Sequence, residues 1–377
     1  MMTLLDFPGV KREGVLLEGS DVADTGPLVL PPSAGAGDRT QEPQLTLTVV
    51  LHGFHSEQKN ALLQTFMEYG IRVQILEETP EHPVDLEVRA IERFGDLVRM
   101  EVAGAEVDVV GWIGPWRRRV LEAAMGTLLE RLREKRGEHF NVLLGLHTYP
   151  WTGELPDLRL DVSREADVSE HMNTTRLKLD SVYLALAAAR PGLVRVKVLA
   201  PQWVSVLAGF TFRAVTNMPV AFLQGTGGGS DAEWRFDSAD SAFAPPAAVI
   251  EGADAADADV LHLVVLCTSG GSIEAYWRWM GDDGRRIRRV MIVQEVVVPD
   301  GAAAARWADD LRRLIAENRP GATDISRLPP RIIRLFLAVP GGLAFALGRK
   351  LNALGKVSLT DFDREGQVYV AEVELVT

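Results

Sequence analysis

Cysteine is almost missing from this 377-residue chain, in which Cys267 stands alone. One thiol excludes an internal disulfide and any multi-cysteine metal site, so stability has to come from packing. Long apolar runs are missing as well. The longest stretches, residues 335–346 and 182–189, fall well short of the roughly 20 residues that span a bilayer. Residues 1–19 mix Asp, Lys, Arg and Glu among apolar side chains, which is not the pattern of a secretory signal, and a cytoplasmic protein is expected. Positive charge is in deficit: 40 Lys and Arg against 52 Asp and Glu leave a net charge of -12. That balance excludes broad attraction to duplex nucleic acid, whose phosphates demand a basic surface, while leaving room for one small anion in a pocket.

Several catalytic signatures are absent or incomplete. Residues 51–54 (LHGF) resemble an oxyanion turn of α/β-hydrolases, but the chain has no G-x-S-x-G elbow. Cys267 and His262 lie five apart, which strand alternation puts on opposite faces, so a nucleophile-base pair is rejected. Asp85 and Glu87 on a predicted strand suggest the carboxylate pair of a metal-dependent nuclease, yet Arg89 stands where its lysine would be. Residues 225–230 (GTGGGS) follow a strand but lead into no helix, so they lack the context of a dinucleotide fingerprint. No catalytic residue, no metal ligand and no cofactor is assigned.

What is present is a repeated order of elements. In residues 195–209 (RVKVLAPQWVSVLAG) a strand-like run ends at Ala200 and Pro201, an apolar helical pattern follows, and Gly209 comes eight residues after the proline. Residues 334–348 (RLFLAVPGGLAFALG) repeat that order, with the same spacing from Pro340 to Gly348. Each copy runs on into another β-like segment, residues 220–224 and 357–361. Two β-α-β halves are therefore expected in an α/β fold with parallel sheets, related by duplication unless the likeness is only that of any two strand-turn-helix units.

Along the chain, residues 1–44 are rich in Gly, Pro, Ser and Asp and read as a flexible leader. Residues 45–137 read as a small α+β domain. Its expected parts are strands at 45–51, 71–76, 84–88, 98–102 and 107–113, a helix capped by Ser56 and stopped by Gly70, and a long helix over 116–136 stopped by Gly137. The continuous apolar run at 140–146 suits a strand covered on both faces and opens the duplicated part. Its second half opens with residues 261–266. Helices are expected at 169–190 and 303–318, and residues 287–298 look like a β-rich insertion.

In open parallel sheets, ligands sit beyond the carboxyl ends of the strands. Four loops qualify here: residues 147–151 and 201–203 in the first half, 268–272 and 340–342 in the second. Thr148, Thr268, Ser269 and Ser272 offer hydroxyls, and Gln202 an amide. Gly270, Gly341, Gly342 and the adjoining Pro340 allow close backbone approach, and Tyr149, Trp151 and Trp203 are able to stack on a base. The opposing reading of these residues is capping and core packing. Aromatics at 276–279 beside arginines at 285–289 form a local cationic stretch that either neutralises phosphates or is simply solvated.

The residues at 335–348, 205–210 (SVLAGF), 219–224 (PVAFLQ) and Trp234, with 158–163 (LRLDVS) and 367–369 (QVY), resemble the SAVED family of sensor domains from bacterial anti-phage systems of the CBASS and type III CRISPR kinds. The resemblance spans about 138–377 and implies two fused CARF-like, Rossmann-like halves, at about 138–240 and 258–377. It further implies that a cyclic tri- or tetranucleotide binds between the halves and drives self-association, which activates an attached or separate anti-phage effector. No membrane partner is expected. Residues 45–137 match none of the family's usual effectors, so they read as an effector or an adaptor. The alternative is a nucleic-acid- or nucleotide-processing enzyme whose catalytic part is this domain, with Glu87 and Asp108 as its carboxylates.

Overall fold

The computed structural model describes residues 45–76, 84–94, 97–110, 115–148, 151, 154–162, 168–213, 217–225, 231–237, 241–254, 257–268, 273–281, 286–319, 332–363 and 368–376. Alternation organises the first sheet. In β1 (Thr46–His52) Leu47, Val49 and Leu51 are buried on one face. Helix α1 (Ser56–Glu68) returns the chain to β2 (Arg72–Leu76), which pairs parallel with β1. The helix starts one residue earlier than expected: His55 is the N-cap, and its N–H donates to the Gln58 side chain at 2.8 Å. Gly70 ends it with φ +63°, in the left-handed region that favours glycine. Strands β3 (Leu86–Phe94), β4 (Leu97–Val102) and β5 (Ala105–Val110) form an antiparallel meander whose first strand runs parallel to β1, in the order β2-β1-β3-β4-β5. Helix α2 (Pro115–Arg136) packs against this sheet through Val120, Leu121, Ala124, Leu128 and Leu132, all buried.

The second sheet comprises β6 (Asn141–His147), β7 (Leu158–Asp161), β8 (Leu193–Leu199), β9 (Val220–Gly225) and β10 (Asp231–Arg235) in the order β10-β9-β8-β6-β7. Helix α3 (Val168–Ala189) joins β7 to β8, and α4 (Gln202–Thr211) joins β8 to β9. The third sheet holds β11 (Val249–Gly252), β12 (Val260–Leu266), β13 (Ile287–Val293), β14 (Ile332–Ala338), β15 (Lys356–Asp363) and β16 (Val368–Val376) in the order β11-β13-β12-β14-β15-β16. Helix α5 (Ile273–Met280) lies between β12 and β13, α6 (Gly301–Asn318) between β13 and β14, and α7 (Gly341–Lys350) between β14 and β15.

The two sheets correspond strand for strand. Four parallel strands, β7-β6-β8-β9 and β13-β12-β14-β15, are each closed by an antiparallel neighbour, β10 or β16. Helices α3 and α4 match α6 and α7. The segment expected as an insertion is thus no insertion: β13 takes the place that β7 holds in the first half, and its arginines are compatible with a strand because Arg288 reaches Asn318 of α6 and Arg289 packs over Trp277 of α5. The additions in the second half are β11 and α5. Matching hydrogen bonds tie the strand ends, with Thr148 N donating to Leu199 O at 3.0 Å and Cys267 N to Ala338 O at 2.9 Å.

The halves meet through α4 and α7, both buried almost all round, as core helices are. A Cβ placed on Gly209 would overlap the Phe345 carbonyl, and one on Gly348 the Val206 carbonyl. These contacts are mates: the shift of 139 residues that carries Pro201 onto Pro340 also carries Val206 onto Phe345 and Gly209 onto Gly348. Arg213 donates to Asn352, its own equivalent under the same shift, at 3.2 Å. The contact is therefore isologous, like that of a two-fold dimer built within one chain.

Cys267 is buried in the core, and burial pushes its thiol up to about 12. His262 belongs to a separate cluster on the other face of the third sheet, where its Nδ1 meets the Tyr276 hydroxyl at 2.9 Å.

Substituting Gly209→Ala or Gly348→Ala is expected to cost about 1–3 kcal/mol in urea unfolding, because the facing main chain has to give way. Gly126→Ala, on α2 with nothing near its missing Cβ, is expected to stabilise by about 0.5–1 kcal/mol in the same assay. Cys267 is expected to resist a thiol-reactive disulfide reagent at pH 8 and to react at once in denaturant; prompt labelling of the folded protein would contradict its burial.

Candidate functional site

Each half ends its central strand at a proline that caps a helix: Pro201 before α4 with φ -52° and Pro340 before α7 with φ -56°. Fixed φ and a missing N–H suit Pro to the helix entry. The two junctions touch. The Gln202 side-chain amide donates to the Val339 carbonyl, so the first half's loop is tied to the second's immediately before Pro340. In return, the Gly342 N–H donates to the Gln224 side chain at 2.9 Å, from α7 to the end of β9.

The glycines at this junction are pressed against first-half side chains. A Cβ on Gly341 would come 3.0 Å from Phe222 Cζ, and one on Gly342 would overlap the Trp234 ring. Any larger residue would push α7 away from the first sheet. Trp203 is 3% exposed and packs in the core, so its ring presents no free stacking face. Thr148 has its hydroxyl donated to Val162 O at 2.6 Å. Thr268 is half-buried just past the end of β12, one residue beyond Cys267, which holds the place matching Thr148, and Trp151 lies across Gly145, whose Cβ would come 2.6 Å from the indole ring. Tyr149, Ser269, Gly270 and Ser272 lie outside the described residues. Of the expected set, then, the structure brings Gln202, Pro340, Gly341 and Gly342 to one junction and sets Thr148 and Thr268 just past the ends of β6 and β12, while Trp203 is withdrawn.

Gln224 and Lys197 went unnoticed in the sequence. Gln224 closes the 219–224 run that carries part of the family resemblance but was given no role in a site; Lys197 sits in an alternating RVKV run, a pattern that signals only a half-buried strand. Yet Lys197 is 5% exposed and bonds Asp231 at 2.7 Å.

The cationic stretch near residues 276–289 is absorbed by protein partners. Arg288 donates to Asn318 at 2.8 Å, Arg286 lies 3.4 Å from Asp259, and Arg289 packs over Trp277 at 5.3 Å. Tyr276 is fully buried, and burial pushes its hydroxyl up to about 12. Arg285 lies outside the described residues.

In the N-terminal domain, Glu87 meets His52 at 2.9 Å and Arg89 at 2.6 Å, and the Arg89 guanidinium holds its carboxyl below the usual range. Asp85 accepts the Thr48 N–H at 2.7 Å and pairs with Arg131 at 2.7 Å, so it fastens β3 to β1 and α2. Asp108 lies on β5. Among the described residues no group of three or more His, Cys, Asp or Glu side chains is placed to hold a metal ion, and no helix is long and apolar enough to cross a membrane.

Solved structures of similar fold include the Acinetobacter baumannii Cap4 SAVED/CARF-domain containing receptor with the cyclic trinucleotide 3'3'3'-cAAA, at 13% identity and a TM-score of 0.48. The alignment covers 69% of this chain and 57% of that one. The Moraxella osloensis Cap4 SAVED/CARF-domain containing receptor is similar at 14% identity and a TM-score of 0.45, over 67% of this chain and 54% of that one. The chain thus spans a little over half the length of these receptors. No curated protein matches it. The family model described as the SMODS-associated and fused to various effectors sensor domain matches residues 180–375, from within α3 through β16. That match takes in both β-α junctions, the α4–α7 contact and more than half of the sequence, and the chain belongs to the SAVED family.

Proposed function

We propose that this chain is a sensor that binds a cyclic oligonucleotide, a tri- or tetranucleotide, at the carboxyl ends of the strands of its two halves. Binding favours a self-associated state, which activates an attached or recruited anti-phage effector. The observation that carries the reading is the direct contact between the Pro201 and Pro340 junctions, held by Gln202 on Val339 and by Gln224 on Gly342. Parallel sheets collect ligands at their carboxyl ends. Two such ends joined about an internal two-fold suit a ring that presents several similar phosphates at once.

An acidic protein suits this task where one focused site, and not a basic surface, takes the anion. For a ring to drive assembly it has to bind the assembled state more tightly than the free one. Residues 45–137 are the part that would carry an effector or recruit one.

Calorimetry with cyclic di-, tri- and tetranucleotides, alongside light scattering, tests the proposal. A tri- or tetranucleotide is expected to bind and to raise the particle mass. Failure of every ring to bind would overturn the sensor reading, and binding at constant mass would remove self-association from it. Thr268→Val, which deletes one hydroxyl at a strand end, is expected to weaken binding roughly fivefold, about the worth of one hydrogen bond.

A further inference from the structure

The internal duplication supplies its own control for the outer faces of the two sheets, the faces turned away from the α4–α7 contact. In the first half, Gly145 on β6 pairs with Arg159 on β7 and Lys197 on β8. In the second half, Val264 holds the same place between Met291 and Phe336. One step nearer the strand ends, His147 corresponds to Leu266. Val220 and Val357 are equivalent through their partners Val194 and Ile333, and counting along β9 and β15 makes Gly225 equivalent to Phe362. Their cross-strand neighbours are Asp231 and Tyr369.

The second half closes this face with apolar contacts. Val264, Leu266, Met291, Phe336 and Tyr369 belong to one buried cluster, and the Phe336 and Tyr369 rings lie 5.1 Å apart. At the same places the first half has His147, Arg159, Lys197 and Asp231. The Lys197–Asp231 ion pair at 2.7 Å stands where the second half has that aromatic pair. An ion pair made by a buried lysine is weak evidence for stability, because apolar residues of similar size often serve as well or better. Here the same fold does so within the same chain. Deeper in the sheet the contrast disappears: Arg195 matches Arg334, and Leu143 faces the place of His262. The difference is confined to the ligand end of the strands.

The geometry suits an anion with a flat neighbour. Lys197 Nζ lies 5.3 Å over the Trp151 ring, His147 meets that ring edge-on at 6.2 Å, and Arg159 Nε donates to His147 Nε2 at 2.6 Å. That contact makes His147 Nε2 an acceptor, so the ring proton belongs on Nδ1. Trp151 is held in place by its own N–H, which donates to Glu154 O at 2.7 Å.

We propose that Lys197, His147 and Arg159, with Trp151, form a phosphodiester-binding subsite on the outer face of the first half, in which Lys197 exchanges Asp231 for a phosphate oxygen. The proposal rests on the sensor reading for the identity of its ligand and names the half that grips the ring's phosphate.

The test compares wild type with Lys197→Met, with the double variant Lys197→Phe and Asp231→Tyr that copies the second half, and with Arg159→Gln at an exposed position. The probes are cyclic triadenylate, cyclic tetraadenylate, linear diadenylate and pyrophosphate. Both Lys197 variants are expected to melt within a few degrees of wild type and to bind the ring at least tenfold more weakly, and Arg159→Gln roughly threefold more weakly. Ring binding by wild type together with affinity within twofold in Lys197→Met would overturn the subsite and leave the sensor reading intact. If the Lys197 variants do not fold, unchanged affinity in Arg159→Gln overturns it. If wild type binds neither ring, the sensor reading fails, and the subsite then stands or falls on diadenylate and pyrophosphate: a tryptophan emission change that is lost in Trp151→Phe supports it, and no change overturns it.

Discussion

Main chain against main chain, at two glycines, is the constraint on which the rest of this protein depends. Helices normally keep their axes 8–10 Å apart because side chains intervene. At Gly209 and Gly348 there is no side chain, and the carbonyls of Phe345 and Val206 take the space. That closeness brings Pro201 and Pro340 within reach of each other, lets the Gln202 amide find Val339, and lets Gln224 accept from Gly342. With even a methyl group at either glycine, the two strand-end loops would draw apart.

A contact of this symmetry leaves the two sheets free to differ where they do not touch. The second half has an extra helix, α5, over its outer face, with Tyr276 and Trp279 packed on Phe336 at 4.9 Å each. On the corresponding face of the first half Trp151 lies across Gly145. One half is thus sealed by apolar burial, and the other keeps the Lys197 ammonium against an indole. Fusion in one chain allows this divergence, since a homodimer would have to change both copies together.

Much of this was legible in the sequence. The spacing from Pro201 to Gly209, repeated from Pro340 to Gly348, identified the helix pair because proline and glycine each have a stereochemical reason for their place. Strands read well where one face is buried and alternation is clean, as in β8, or where both faces are covered, as in β12. Strand β13 was expected as β structure but as an insertion, because α5 separates it from β12 whereas β7 follows β6 with no helix between, and nothing in the local pattern announces that Asn318 and Trp277 will receive Arg288 and Arg289. The glycines at 341 and 342 were noticed for the freedom they give a ligand, whereas their neighbours Phe222 and Trp234 come from more than a hundred residues away, a distance that no local pattern reports. The same holds for Lys197: its burial is a property of the sheet, and its partner Asp231 belongs to another strand.

The internal two-fold also has a thermodynamic consequence. Two separate lobes that met around a ligand would lose translational and rotational freedom on meeting, a loss estimated at several kcal/mol or more. Here the α4–α7 contact has met that cost once, at folding, before any ligand arrives. Whatever binds at the strand ends meets lobes that are already joined, so none of its contact energy goes into joining them.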